Sequence, residues 1–251
     1  MDYKVESVSC AIGLLLFVAR YPGLGVSEIA RRSGNSKART FRLLSTLEES
    51  GMVQRDAGVT YRLGFKTLYL GAIAKEQIDI ARLAQPVLST IIEKCDENVH
   101  IRIRDGVESL MVAQETSKQR VRIHEELGTR RPLHVGASGK LLLAFAPANI
   151  QEAVLSERLE KFTNNTLVTR SALEAELAKI NKLAYSISFS ERAADVVAFA
   201  APVRDSSGEV VAALGIAVPY SRFNENKLDF FIDCAKTGAE EFSKLMGFLP
   251  Y

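Results

Sequence analysis

Residues 26–51, "VSEIARRSGNSKARTFRLLSTLEESG", limit what this chain can fold into more than any other stretch. Ser27 is a good N-cap for a short helix through about Ser33. Gly34 takes the left-handed conformation that ends it and turns the chain sharply. Asn35 or Ser36 then caps a second helix to about Glu49, with Gly51 just past its end. Two short helices joined by a glycine turn make a helix-turn-helix. An apolar segment, "SVSCAIGLLLFVARYPG", precedes it as a first helix. "GMVQRDAGVTYRLG" follows as two short strands around an Asp56-Ala57-Gly58 turn, a wing.

On a helical wheel, Phe41, Leu43, Leu44 and Leu47 share the side facing the small core. Ala38, Arg39, Arg42, Ser45 and Thr46 fall opposite, where a recognition helix meets base edges in the major groove. Arg39 or Arg42 suits a bidentate contact to guanine, and the Ala38 methyl suits a thymine methyl. Arg31, Arg32, Ser36 and Lys37 suit phosphates. Charge supports this reading. Residues 1–75 hold 11 Lys/Arg against 6 Asp/Glu, a net of +5, while the remainder carries −3. A basic amino-terminal part on a mildly acidic larger part points to nucleic acid as partner of the first.

The connector "FKTLYLGAIAKEQIDIARLAQPVLSTIIEKC" has helical period and is interrupted at Pro86. Its first half, near 65–77, reads as a linker helix whose Leu68, Tyr69, Ala72 and Ile73 form an apolar stripe, either core or a dimer seam. The larger domain then shows a hairpin through "NVHIRIRDGVESLMVAQE" and a short strand at "RVRIHEE". A helix at 171–185 opens on a Ser171–Glu174 capping box, and strands 196–203 and 209–218 are apolar on both faces. An amphipathic helix from about Glu225 to Met246 closes it. The expected class is α+β, an antiparallel sheet with helices packed against it.

Several function classes are disfavoured. The longest apolar runs, such as "AIGLLLFVA", are too short to span a membrane, and "MDYKVES" does not read as a signal peptide. Cys10, Cys95 and Cys234 lie far apart, which suits a reducing cytoplasm. His100, His124 and His134 lack metal-ligand spacing, and neither metal nor cofactor is expected. "GASGK" at 136–140 is not a nucleotide loop: His134 stands where the first glycine belongs and Leu141 where the hydroxyl belongs. Free N–H groups at a helix start still favour an anion, and the plainer alternative is Ser138 as a helix cap. His134, Ser138 and Asp195 can be drawn as a hydrolytic triad, but no GxSxG elbow supports it. No enzyme activity is expected. His134 fits better as a group bonded to backbone.

"SEIARRSGNSKARTFRLLSTLEESGMVQRD", "YRLGFKTLYLG", "RRPLHVGASGKLLLA" and "FAAPVRDSSGEVVAALGIAVP" together resemble the IclR family of bacterial transcriptional regulators along nearly the whole chain. The resemblance implies a winged helix-turn-helix domain at 1–64, a linker helix at 65–78, and a GAF-like domain at 79–251 for effector binding and oligomerisation. It implies dimers or dimers of dimers on palindromic double-stranded operators, with a small organic acid as effector. Carried over, it puts Ala137, Ser138, Gly139, Ser188, Ala198, Gly215 and Ala217 in or near the effector pocket. Family members often have an acid near Ser188, cysteine at Ala198, serine at Gly215 and Ala217, and glycine at Asp195. The smaller residues here imply a roomier, more apolar wall and a larger or more aromatic effector, or else a pocket that has lost its ligand and serves only as structure. Ala38 and Arg39 stand where the family often has Ser and Thr, so the operator is expected to differ.

Overall fold

The structure, a computed structural model, describes residues 4–56, 59–77 and 79–249. The chain divides into two compact units, 1–78 and 79–251.

In the first unit, α1 (Glu6–Arg20) packs on α2 (Val26–Ser33) and α3 (Lys37–Glu49). Gly34 ends α2 at φ +70°, and the Ser36 hydroxyl caps α3 by accepting from Arg39 N at 3.3 Å. The cap of α2 is Gly25, two residues earlier than the expected Ser27. The wing strands β2 (Val53–Asp56) and β3 (Thr60–Leu63) pair antiparallel, and β1 (Leu24–Gly25) joins on the other side of β3. The turn residues Ala57 and Gly58 lie outside the described set. Leu14, Val18, Ile29, Leu44, Val53 and Tyr61 form the core. Phe41 is not among them. It is 48% exposed, while Thr40 is fully buried, because the stripe centred on Thr40 and Leu44 runs about 100° round the helix from Phe41. Helix α4 (Phe65–Gln77) exposes Phe65, Leu68, Tyr69 and Leu70. The side chain of Ala72 is outside the described set.

The second unit begins at Asp79, whose carboxylate caps α5 (Ile80–Cys95) by accepting from Ala81 N and Arg82 N. Pro86 therefore lies inside a helix and does not break it. It sits on the exposed face, where water can satisfy the Arg82 carbonyl that its missing N–H leaves open.

A six-stranded antiparallel sheet follows, in the order β6-β5-β4-β9-β8-β7. Its strands are β4 (Asn98–Asp105), β5 (Glu108–Glu115), β6 (Arg130–Pro132), β7 (Ser186–Phe189), β8 (Val196–Arg204) and β9 (Val210–Pro219). On one face, Val99, Ile101, Val197, Phe199, Leu214 and Ile216 pack against α5 and α9 (Leu228–Leu245), which a 3₁₀ turn at Glu225–Lys227 precedes. The other face carries α6 (Ala137–Ala144), α7 (Ala148–Leu155) and α8 (Arg170–Leu183). The α+β expectation holds as three layers.

Two local expectations fail. Thr169, not Ser171, caps α8, and Glu174 pairs with Arg170 at 2.9 Å instead of closing a box. Residues 121–127 make no strand. β6 occupies only the Glu108–Leu110 end of β5. Beyond it, side chains bind the segment's carbonyls where a ladder would be: Asn98 donates to Ile123 O, Gln114 to Glu125 O and Arg222 to Val121 O. Residues 116–129 are thus a strap across one end of the sheet.

Candidate functional sites

On the first unit, Lys37, Ala38 and Arg42 are exposed along the front of α3 and Ser45 is half-buried behind them. Ser36 is committed to its cap. Arg39 is turned back onto α1, where its Nη2 meets Glu6 at 2.9 Å. Arg31 and Arg32 both hold Glu28, each at 2.6 Å, and their hydrogen bonds, Arg31's first, pull that carboxyl down to about 2. The run from Ile29 to Leu47 contains no acid, but Glu28 at its edge neutralises part of its charge. Lys37 and Arg42 carry no ion pair among the described residues, so Arg42 is the guanidinium most open to a partner.

The second site grows out of sheet register. Side chains alternate along a strand. With Val99, Ile101 and Ile103 facing α5, residues Asn98, His100 and Arg102 must face α6. The register sets Ser188 beside Ala198, Ala198 beside Ala217, and His100 beside Gly215. Above these strands, α6 begins at Ala137. Between them lies a cavity of about 280 Å³, lined by Ala137, Ser138, Gly139, Ser188, Ala198 and Ala217 together with His100, Arg102, Arg122, Glu125, Arg131, Arg192 and Asp195.

Gly215 does not widen it. A Cβ there would lie 2.3 Å from His100 Nε2 and 2.6 Å from Ser138 Oγ, so the missing side chain makes room for an imidazole. The expected roomier, apolar wall is therefore corrected: small residues on β8 and β9 are offset by His100 and arginines. His100 Nε2 is 3.1 Å from Ser138 Oγ. Burial, with repulsion from Arg102 and Arg131, brings His100 down to about 3 and keeps it neutral. A base so weak cannot activate the serine. His134 takes no part in a triad; its Nε2 is 3.0 Å from Glu160 O.

The "GASGK" motif is also resolved by geometry. Gly136 is the helix cap, and Ser138 spends its hydroxyl on His100. Lys140 faces away from the cavity, with Nζ on Glu191 at 2.5 Å, Glu176 at 2.9 Å and Ile187 O at 3.0 Å. The other Glu191 oxygen accepts from Gly136 N at 3.2 Å. Part of the anion-binding capacity of this helix start is thus already met by the chain itself. Burial raises the Glu191 carboxyl, and Lys140 works against that rise.

The remaining charge is cationic. Among the described residues, four arginines and two acids line the cavity. Glu125 pairs with both Arg102 and Arg131, the latter at 2.8 Å. Arg192 lies over the Phe162 ring at 4.3 Å and has no ion pair among the described residues. Burial lowers Arg102 to about 10 and also lowers Arg131, with Arg192 adding repulsion to the second. His100, Arg102, Glu125, Arg131 and Arg192 were not anticipated from sequence. The signal available for the first two was their polar alternation with the Val99, Ile101, Ile103 core face. Among the described residues, no group of three or more His, Cys, Asp or Glu is placed to hold a metal ion, and no helix is long and apolar enough to cross a membrane.

Comparison with known proteins agrees with both halves. Residues 7–57 match the IclR helix-turn-helix domain, and residues 72–244 match the bacterial transcriptional regulator IclR C-terminal model. The HTH-type transcriptional regulator KipR of Bacillus subtilis is 30% identical over 249 residues, covering 99% of this chain and 100% of that one. The crystal structure of an IclR-type regulator from Silicibacter sp. TM1040 superposes with a TM-score of 0.89 at 26% identity, covering 98% of each chain. An IclR homolog from Microbacterium hydrocarbonoxydans, crystallised with 4-hydroxybenzoate, aligns with a TM-score of 0.59 at 22% identity over 95% of this chain and 99% of that one. The chain belongs to the IclR family of DNA-binding transcriptional regulators.

Proposed function

We propose that the protein binds a two-fold symmetric operator as a dimer or dimer of dimers, and that an organic anion in the cavity of the second unit controls that binding. The cavity's composition carries this reading: among the described residues, four arginines against two acids in a partly open cavity, with His100 neutral. A carboxylate offsets the excess charge, and the small faces of Ala198 and Ala217 leave room for an apolar body. The 4-hydroxybenzoate bound by the Microbacterium homolog is a ligand of this chemistry. On the DNA side, Arg42 is the base reader and Ala38 its apolar neighbour, with Ser45 at the groove edge. Lys37 and the Ser36 backbone contact phosphate. Arg31 and Arg32 join them once phosphate competes with Glu28, and Arg39 engages DNA only by leaving Glu6.

The effector acts by binding one arrangement of the second unit better than another, which shifts the population of DNA-binding dimers. The test is binding to labelled duplex from upstream of the protein's own gene, against scrambled duplex, across a salt series with and without a set of carboxylates. The reading predicts selective, steeply salt-dependent binding whose affinity changes with at least one acid. Equal weak binding to both duplexes, unmoved by every acid, contradicts it.

A further inference from the structure

Among the described residues, Glu125 is the one acid in the cavity that pairs with its arginines, and it arrives on the strap, not on the sheet. Its carboxylate touches Arg102 and Arg131 together, the contact that a bound organic anion would make. We infer that Glu125 is an internal stand-in for the effector's carboxylate, and that effector binding displaces it and so releases the middle of the strap, residues 118–127. This inference rests on the proposal that the cavity takes an organic anion.

Three features of the geometry carry it. Arg102 does not depend on Glu125 for its position. Its Nη1 donates to Ser109 O, Ser109 Oγ and Thr129 O, each at 3.2 Å, so the guanidinium stays aimed into the cavity when Glu125 leaves. Glu125, by contrast, sits in the middle of the strap: Ser117 and Gln119 tie one end to Asp96 and Asn98, Gly128 and Thr129 tie the other to the Met111 backbone, and between them side-chain bonds from Gln114, Asn98 and Arg222 hold its carbonyls outside the sheet ladder. Third, one carboxylate does not satisfy this cluster, since Arg192 presses on Arg131 and has no acid of its own among the described residues.

An incoming carboxylate therefore has two modes available. It can fill the space beside Glu125, or it can take Glu125's place on the arginine pair. Exchange keeps the pair neutralised and moves the strap, whereas filling moves nothing. An intramolecular carboxylate competes at an effective concentration on the order of millimolar, which weakens the apparent affinity for any external acid. Displacement also links occupancy of the cavity to the freedom of a ten-residue segment (118–127), which is the kind of two-state element an effector can bias.

The experiment titrates the full chain and its Glu125→Gln variant with acetate, benzoate and 4-hydroxybenzoate by calorimetry, and follows amide exchange across residues 118–127. The inference predicts that the variant binds at least one acid about tenfold more tightly than wild type, because its competitor is gone. It also predicts that saturating acid speeds exchange of the wild-type strap. Equal or weaker binding by the variant, with wild type still binding, overturns the inference and leaves the organic-anion reading standing. Failure of every acid to bind either protein at millimolar concentration overturns both. Should Glu125→Gln not fold, Gln114→Ala replaces it: this loosens the strap without altering a charge and is expected to tighten binding about threefold. No change in that variant sinks the inference.

Discussion

His100 and Gly215 share a space that holds one side chain, and this pairing has measurable consequences. Gly215→Ser forces a Cβ into contact with His100 and Ser138 and is expected to destabilise the second unit by about 1–3 kcal/mol, read from its urea midpoint. The imidazole itself gives a pH signature. The unfolded His100 takes up a proton near pH 6.5, while the folded one refuses it until about 3. Its contribution is therefore fully present above 6.5 and falls by about 1.4 kcal/mol per pH unit below that, until the folded group also protonates. Acidification from about pH 7 to 5 should lower the wild-type Tm more steeply than that of His100→Asn. Parallel Tm curves would mean that His100 is accessible to protons in the native state. On the DNA face, Arg42→Ala should cost about 1–3 kcal/mol of sequence-selective binding, whereas Arg39→Ala should cost less because its guanidinium is held by Glu6.

At the scale of elements, α6 and the strap show what sequence reasoning reaches and where it stops. The helix start at "GASGK" was legible, since its glycines and following apolar run mark the turn and the helix. The partners of Lys140 were not, because Glu176 and Glu191 lie 36 and 51 residues away and meet it only through the packing of α8 and the end of β7. Lys140→Met should reveal that burial. It strands Glu191 without its cation, and a loss of about 3–5 kcal/mol in the urea transition of the second unit is expected. The strap misled for a different reason. "RVRIHEE" alternates as a strand should, but its carbonyls bond to the side chains of Arg222, Asn98 and Gln114, not to a neighbouring backbone. His100 and Arg102 were legible in principle. A strand polar on one side and covered by helices on both faces places its polar residues in the interior, and such residues mark a site.

At the scale of the whole molecule, the two units carry different charge, an exposed basic helix in the first and a partly open, arginine-lined cavity in the second. The winged unit was readable almost entirely because its signals are local: a glycine at positive φ, a serine cap, a hairpin. The cavity was readable in outline through resemblance, yet its charge depends on β4, the strap and β6 converging, and no local pattern records that. The central claim is a reader of symmetric DNA governed by the acid in its second unit. Its most direct test is selection of binding sites from a random duplex pool, with and without 4-hydroxybenzoate. The account predicts a two-fold symmetric motif with half-sites about one helical turn, or a multiple of it, apart. It also predicts that the acid changes the motif's enrichment and that Arg42→Ala weakens it. Sequences enriched equally by Arg42→Ala, or no symmetric motif at all, would contradict it.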